Sequence, residues 1–296
     1  MTVAFAEIHE LILGALRHLQ DDGDRMQQAI EKKQLSRTEF WLLGRLRYFP
    51  ASVTPGDFKT YDPYTSTSIF EQSLEALAGK NLVERVDTNR YRSADTGRKL
   101  IEKLYREYFG RIAKHDFLPT AEVQRLGALA DRVMNSALHQ PNLRTPITEA
   151  TYSVFPAIDE IWVMAERRLV ALSAFHDDAH IAAWRDEGWS GPEMALSTAL
   201  FHAPDGLNST QLREATSTLN DKDFKSALSA LHSNAEVSYT EEQYFLSVRG
   251  LASRQKIEDV TNRNYSLPFS ALESIELDEL IGLLEKTRGP QTPKSA

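Results

Sequence analysis

Residues 65–93 read TSTSIFEQSLEALAGKNLVERVDTNRYRS, and the fold turns on them. Ile69, Phe70, Leu74 and Leu77 recur at the spacing that lines one face of a helix, which predicts a helix from near Thr65 until Gly79-Lys80-Asn81 stops it. Leu82 to Val86 and Arg90 to Ser93 then flank Asp87-Thr88-Asn89, the pattern of a short two-stranded hairpin. Upstream, Ser36-Arg37-Thr38-Glu39 is a capping box before the apolar stretch Phe40 to Leu46, with Pro50 at its end, and predicts a helix near 37–48. Thr54-Pro55-Gly56-Asp57 repeats that grammar and predicts a short helix to about Lys59. Helix, helix, helix, hairpin is the order of a winged helix-turn-helix.

Further out, Ile8, Leu11, Ile12, Ala15 and Leu19 form an amphipathic stripe that Asp21-Asp22-Gly23-Asp24 interrupts. Long helices are expected over 96–115 and 120–138, a linker at Gln140 to Pro146, and helical pattern over 147–187 broken at Pro156. The chain has 296 residues, 42% hydrophobic and 26% charged, which excludes collagen, wholesale disorder and a rod. Zero cysteines remove disulfides, thiolate catalysis and Cys-ligated metal, and no apolar run is long enough to span a bilayer. A cytoplasmic protein with no membrane partner is the expectation. The net charge of -8 argues against a nucleic-acid partner, but residues 32–114 hold 16 Lys and Arg against 10 Asp and Glu. One basic module sits in an acidic chain.

The chain also resembles itself. At an offset of 154, Leu42 aligns with Leu196, Leu46 with Leu200, Pro50 with Pro204, Phe58 with Leu212, Phe70 with Phe224, Leu74 with Leu228, Leu77 with Leu231, Val83 with Val237 and Tyr91 with Phe245. Ser93 aligns with Ser247, and Gly250 matches Gly97 once a one-residue deletion after the wing is allowed. The expected fold is therefore mainly α, with two winged helix-turn-helix modules, each of three helices plus a β-hairpin wing, and a helical dimerisation and linker region. Segments would be 1–140, DNA-binding and dimerisation; 141–189, a helical connector; 190–288, a second module for sensing or interaction; and 289–296, a disordered tail.

Such a module presents its third helix to the major groove and holds phosphates with cations at the edges. Thr65, Ser66, Thr67, Ser68 and Gln72 supply small polar groups, and Lys59, Arg85, Arg90 and Arg92 supply the cations. The alternative is that the four hydroxyls are capping residues and the arginines a solvated surface. DNA contact requires the three arginines free of internal ion pairs and the Ser68 face open. Glu71 and Glu75 on that face work against it. In the second copy Lys80, Arg85, Arg90 and Arg92 become Asn234, Tyr239, Tyr244 and Leu246, and the hairpin carries Glu241 and Glu242, which demotes DNA contact there although Lys222, Lys225 and Arg213 keep some positive charge.

With this order, the Leu82-Val83-Glu84-Arg85 run and Thr96-Gly97-Arg98 after the wing, residues 1–140 resemble the MarR family of bacterial transcription regulators. The resemblance implies a homodimer made by helices near 2–31 and 97–139, with Ser68, Gln72, Arg85, Arg90 and Arg92 on operator DNA. Residues 165–285 are similar to the SalK-like helix-turn-helix proteins of actinobacteria, through His176-Asp177-Asp178-Ala179-His180, the Gly188 to Met194 stretch and Arg254 to Thr261 before Pro268. That likeness implies a fold and a regulatory association but no reaction.

His176 and His180 stand at the i, i+4 spacing of zinc hydrolases, with Asp177 in the general-base position, but no third ligand is identifiable and a structural role is favoured. Glycine-rich phosphate loops and the G-x-S-x-G nucleophile string are absent. The reading is a transcription regulator, not an enzyme, without cofactor or metal. Its N-terminal module binds double-stranded DNA and its C-terminal half senses a small apolar effector or a protein. A protein-interaction module and a metal-dependent hydrolase built on His176 and His180 are the rivals.

Overall fold

A computed structural model describes residues 5–20, 30–49, 51–153 and 159–289. Expectations for Asp21 to Asp24, Pro50, Pro156 and the tail from Pro290 lie outside the described residues. The chain is mainly helical, with two small antiparallel strand pairs. The elements are α1 (Phe5–Leu19), α2 (Arg37–Arg45), a 3-10 turn Pro55–Thr60, α3 (Thr67–Gly79), β1 (Val83–Asp87), β2 (Arg90–Ser93), α4 (Asp95–Ile112), α5 (Thr120–Leu138), α6 (Pro146–Ser153) and α7 (Ile161–Asp186). There follow α8 (Gly191–Phe201), α9 (Ser209–Ala215), α10 (Asp221–Ser233), β3 (Val237–Thr240), β4 (Gln243–Leu246), α11 (Val248–Ser266), a 3-10 turn Leu267–Ala271 and α12 (Ser274–Thr287).

The chain gathers into two compact units that ignore sequence order. One holds the described residues within 1–37, 98–179 and 262–296, the other those within 38–97 and 180–261. The first is a helical unit whose core includes Ile8, Ile12, Leu126, Leu129, Val133, Leu169, Leu172, Phe175, Leu280 and Leu284. The stripe of α1 and the apolar face of α5, expected to build a homodimer, are buried here within the chain, with α1 and α5 both packed on α12. Three ion-pair sites join α5 to α12. Glu122 meets Lys286 at 2.8 Å, Arg132 meets Glu276 at 2.5 Å, and Arg125 meets Glu279 at 2.7 Å. Lys286 lies 154 residues after Arg132 and Glu276 lies 154 after Glu122, so the first two pairs are one contact made twice with the halves exchanged. Arg125 and Glu279, also 154 apart, face each other between them. That is the arithmetic of an isologous two-fold interface, inside one chain.

The second unit holds the repeat. Shifted by 154, the Pro55–Thr60 turn lands on α9 and α3 lands on α10 residue for residue. Each set buries the aligned side chains, Phe58, Phe70 and Leu77 in the first and Leu212, Phe224 and Leu231 in the second, each contributing about 1.5–3 kcal/mol relative to exposure. Asn81 and Ala235, at the same place after the third helix, both take left-handed φ of 56°. Capping boxes open the first two helices of the second set: Ser190 and Glu193 bond each other's backbone N–H, and so do Asn208 and Gln211.

One part of the alignment changes. Val53 bridges Tyr91 and Leu207 bridges Tyr244, so Tyr244, not Phe245, is the counterpart of Tyr91. The deletion sits in the hairpin, where β1 bulges between Arg85 and Asp87 and β3–β4 pairs without a break through a tight turn at Glu241-Glu242. Side chains alternate between faces along a strand, and matching apolar letters without that constraint slipped the register by one.

Candidate nucleic-acid interface

The first turn of α3 is where the expected reading surface begins, and it is engaged. Thr65 and Ser66 are buried, at 4% and 0% exposure. Thr65 Oγ1 donates to Asp62 Oδ2 at 2.6 Å. Ser66 stands at the N-cap of α3, yet its hydroxyl bonds no N–H of that helix. It donates instead to Asp223 Oδ2 at 2.5 Å and accepts from Asn220 N at 2.9 Å. Ser66 N donates to the Thr218 carbonyl, and Asn220 Nδ2 donates to Ser68 Oγ at 2.9 Å. Asn220 is the N-cap of α10 and lies 154 residues after Ser66, so the two third helices meet start to start.

Lys59 is engaged as well. Its Nζ donates to the carbonyls of Pro63 and Thr65, and burial pulls its pKa below the ordinary lysine value. Arg213 repeats the contact on the Leu219 carbonyl, so the cation shared by the two copies serves the turn before the third helix. Lys59, Thr65 and Ser66 therefore offer DNA no free edge. Thr67 and Gln72 are exposed, and Ser68 is half-buried.

The wing arginines are exposed but partnered. Arg85 pairs with Glu75 at 3.1 Å and also reaches the Thr88 carbonyl. Arg92 pairs with Glu84 at 2.6 Å, while Arg90 bonds Ser52 through both its hydroxyl and its carbonyl. Glu75 further accepts from Tyr91, whose hydroxyl is pushed up to about 12 by burial and by that carboxylate. Lys80 is held by buried Glu39. The cations expected to hold phosphate, Lys59, Arg85, Arg90 and Arg92, are thus each engaged by a carboxylate, a carbonyl or a hydroxyl of the same module. The sequence could have flagged Glu75 and Arg85 as partners only with the hairpin packed on α3.

On α10 the pattern reverses. Lys222, Lys225, Ser226, Ser229 and His232 are exposed at successive helical-face spacings. Neither lysine has an ion pair among the described residues, while Asp221 is engaged by Arg213 and Asp223 by Ser66.

The histidine pair works in packing. His176 stacks on His9 with ring centroids 3.7 Å apart, and both meet Tyr265 edge-on. His180 bonds Thr261 Oγ1, and burial lowers its pKa to about 4. Asp178 accepts from Ile147 N, Thr148 N and Thr148 Oγ1. Among the described residues no three His, Asp or Glu stand together to hold a metal, and no helix is long and apolar enough to cross a membrane. A cavity of about 220 Å³ in the helical unit is lined by Tyr152, Met164, Arg167 and Arg168.

The chain belongs to a helix-turn-helix family, whose profile matches residues 88–290, more than half its length. The match enters within the first hairpin and runs through all of the second set of helices and strands. No curated protein and no solved structure matches the chain.

Proposed function

We propose that the protein is a DNA-binding transcription regulator rather than an enzyme, built from two winged-helix modules in MarR-like and SalK-like halves. The observation that carries this reading is membership of a helix-turn-helix family together with a third helix and an arginine-bearing hairpin at the surface. The condition set for DNA contact by the first module is not met at Arg85 and Arg92, which are ion-paired, nor at Ser68, which Asn220 bonds; contact by exposed Thr67, Gln72, Arg85, Arg90 and Arg92 therefore requires DNA to displace those partners. Exposed ion pairs such as Arg85–Glu75 contribute about 0–1 kcal/mol, so a phosphate can take the glutamate's place.

Geometry limits how one chain engages a duplex. Each third helix has 13 residues and is about 20 Å long. Because their first turns touch, their centres are no more than about 30 Å apart even end to end, short of the ~34 Å between successive turns of the groove. One chain therefore reads one groove segment at a time. In this reading the α5–α12 contact supplies within one chain a two-fold interface of the kind that the MarR resemblance assigns to two chains. The sensing half of the reading points to the cavity lined by Tyr152, Met164, Arg167 and Arg168, where Arg168 is held by Asp131.

Fluorescence anisotropy of the full chain against mixed-sequence DNA duplexes tests the reading, with binding expected to weaken steeply between about 50 and about 200 mM salt. Absent or salt-insensitive binding rejects it. The covered first turn of α3 favours one second reading, a protein-docking module; it expects Arg85, Arg90 and Arg92 to become Ala without loss of function.

A further inference from the structure

We infer that the groove-reading surface of this protein is the outer face of α10, with Lys222 and Lys225 as its cations, rather than the equivalent face of α3. The inference rests on the DNA-binding reading above and assigns it to a different module. The two helices superpose in sequence at the 154 offset, so each exposed position can be compared with its counterpart. Ser68 corresponds to Lys222, Glu71 to Lys225, Gln72 to Ser226 and Glu75 to Ser229. Two carboxylates on one face have become one lysine and one serine, and a second lysine has been added a turn earlier.

Against a polyanion the two faces differ in sign. Glu71 and Glu75 repel phosphate, and Glu75 also ties down Arg85. Lys222 and Lys225 are exposed on a 13-residue helix, with no carboxylate paired to either among the described residues. The acids of their own turn are bonded away from them, Asp221 to Arg213 at 2.7 Å and Asp223 to Ser66 at 2.5 Å. Ser226 and Ser229 continue the same face with small hydroxyls that accept or donate to base edges, while lysine reaches guanine O6 and N7 or a phosphate. The acidic hairpin of this module, Glu241 and Glu242, sets which edge of α10 approaches the duplex, because it must stay clear of the backbone.

The test compares two variants of the full chain, Lys222→Ala/Lys225→Ala and Arg85→Ala/Arg90→Ala/Arg92→Ala, by anisotropy with mixed-sequence duplexes across the salt range. All five side chains are exposed, and an unchanged thermal melt checks that each variant folds. The lysine variant is expected to bind about tenfold more weakly and to lose about two from the salt slope. Glu71→Lys should tighten binding less than Lys225→Glu weakens it. Wild-type affinity in the lysine variant, with binding lost in the arginine variant, overturns this assignment and leaves the DNA-binding reading standing. No salt-dependent binding by the wild-type chain overturns both.

Discussion

Two glycines sit at equivalent places in the two copies, where a side chain would meet backbone. A Cβ on Gly97 would overlap the Leu82 carbonyl, and one on Gly250 would overlap the Glu236 carbonyl, which is the same contact in the other copy. Both bring a helix start against the strand entry, where Ala94 N and Ser247 N bond those same carbonyls. Gly97→Ala and Gly250→Ala should each cost about 2 kcal/mol in urea denaturation. Gly110→Ala, in open space on α4, should instead stabilise by up to about 1 kcal/mol. His9 supplies a second residue-scale outcome. Burial lowers its pKa to about 4, so the folded chain resists a proton that the unfolded chain accepts at 6.5. Its contribution is complete above pH 6.5 and is lost as pH falls toward about 4. Asp178, pushed up to about 6 by burial, acts in the opposite sense, so the comparison must be with a variant. Between about pH 7.5 and about pH 5 the wild type should lose about 2 kcal/mol more than His9→Phe, which keeps the ring stack on His176. Equal losses would mean that His9 does not titrate with folding.

At the scale of elements, the second hairpin is the strained one. Glu241 and Glu242 hold φ of 50° and 63°, as the tight turn between regularly paired strands requires, yet glutamate lacks the adaptability of Asn or Gly there. Glu241→Asn/Glu242→Gly should raise stability by about 1 kcal/mol in a thermal melt, and a fall would mean that the acids are held by contacts elsewhere. The first hairpin avoids that turn by carrying one more residue and a bulge, which also aims Arg85 back at Glu75 and the Thr88 carbonyl. A one-residue bulge in β1 therefore separates the irregular first hairpin from the regular second one, and the replacement of its arginines makes the second acidic.

For the whole molecule, the exchanged ion pairs Glu122–Lys286 and Arg132–Glu276 mean that one chain supplies both sides of a two-fold interface. The apolar stripe of α1, which would otherwise need a partner, is buried by α12. Light scattering coupled to size exclusion should return the chain mass, 33.5 kDa, at micromolar protein. A stable mass of twice that would show that a further face pairs, and would restore an assembly in which two chains present reading helices one DNA turn apart.

Periodicity and punctuation in the sequence determined the elements: α5 begins and ends where its pattern did, Thr54 and Asp57 form the expected capping box, and the 154-residue repeat aligned buried positions because both copies answer the same packing constraints. Charge read as a running sum could not reveal that Arg85 and Arg92 are answered by glutamates, since pairing depends on which faces meet. Nor could it show that Ser66 bonds Asn220 and Asp223 rather than capping its own helix, because those partners lie more than 150 residues away in the chain. Local spacing sets what each segment becomes; only the folded contacts, which bring distant charges and hydroxyls within 3 Å, decide which of them stay available to a partner.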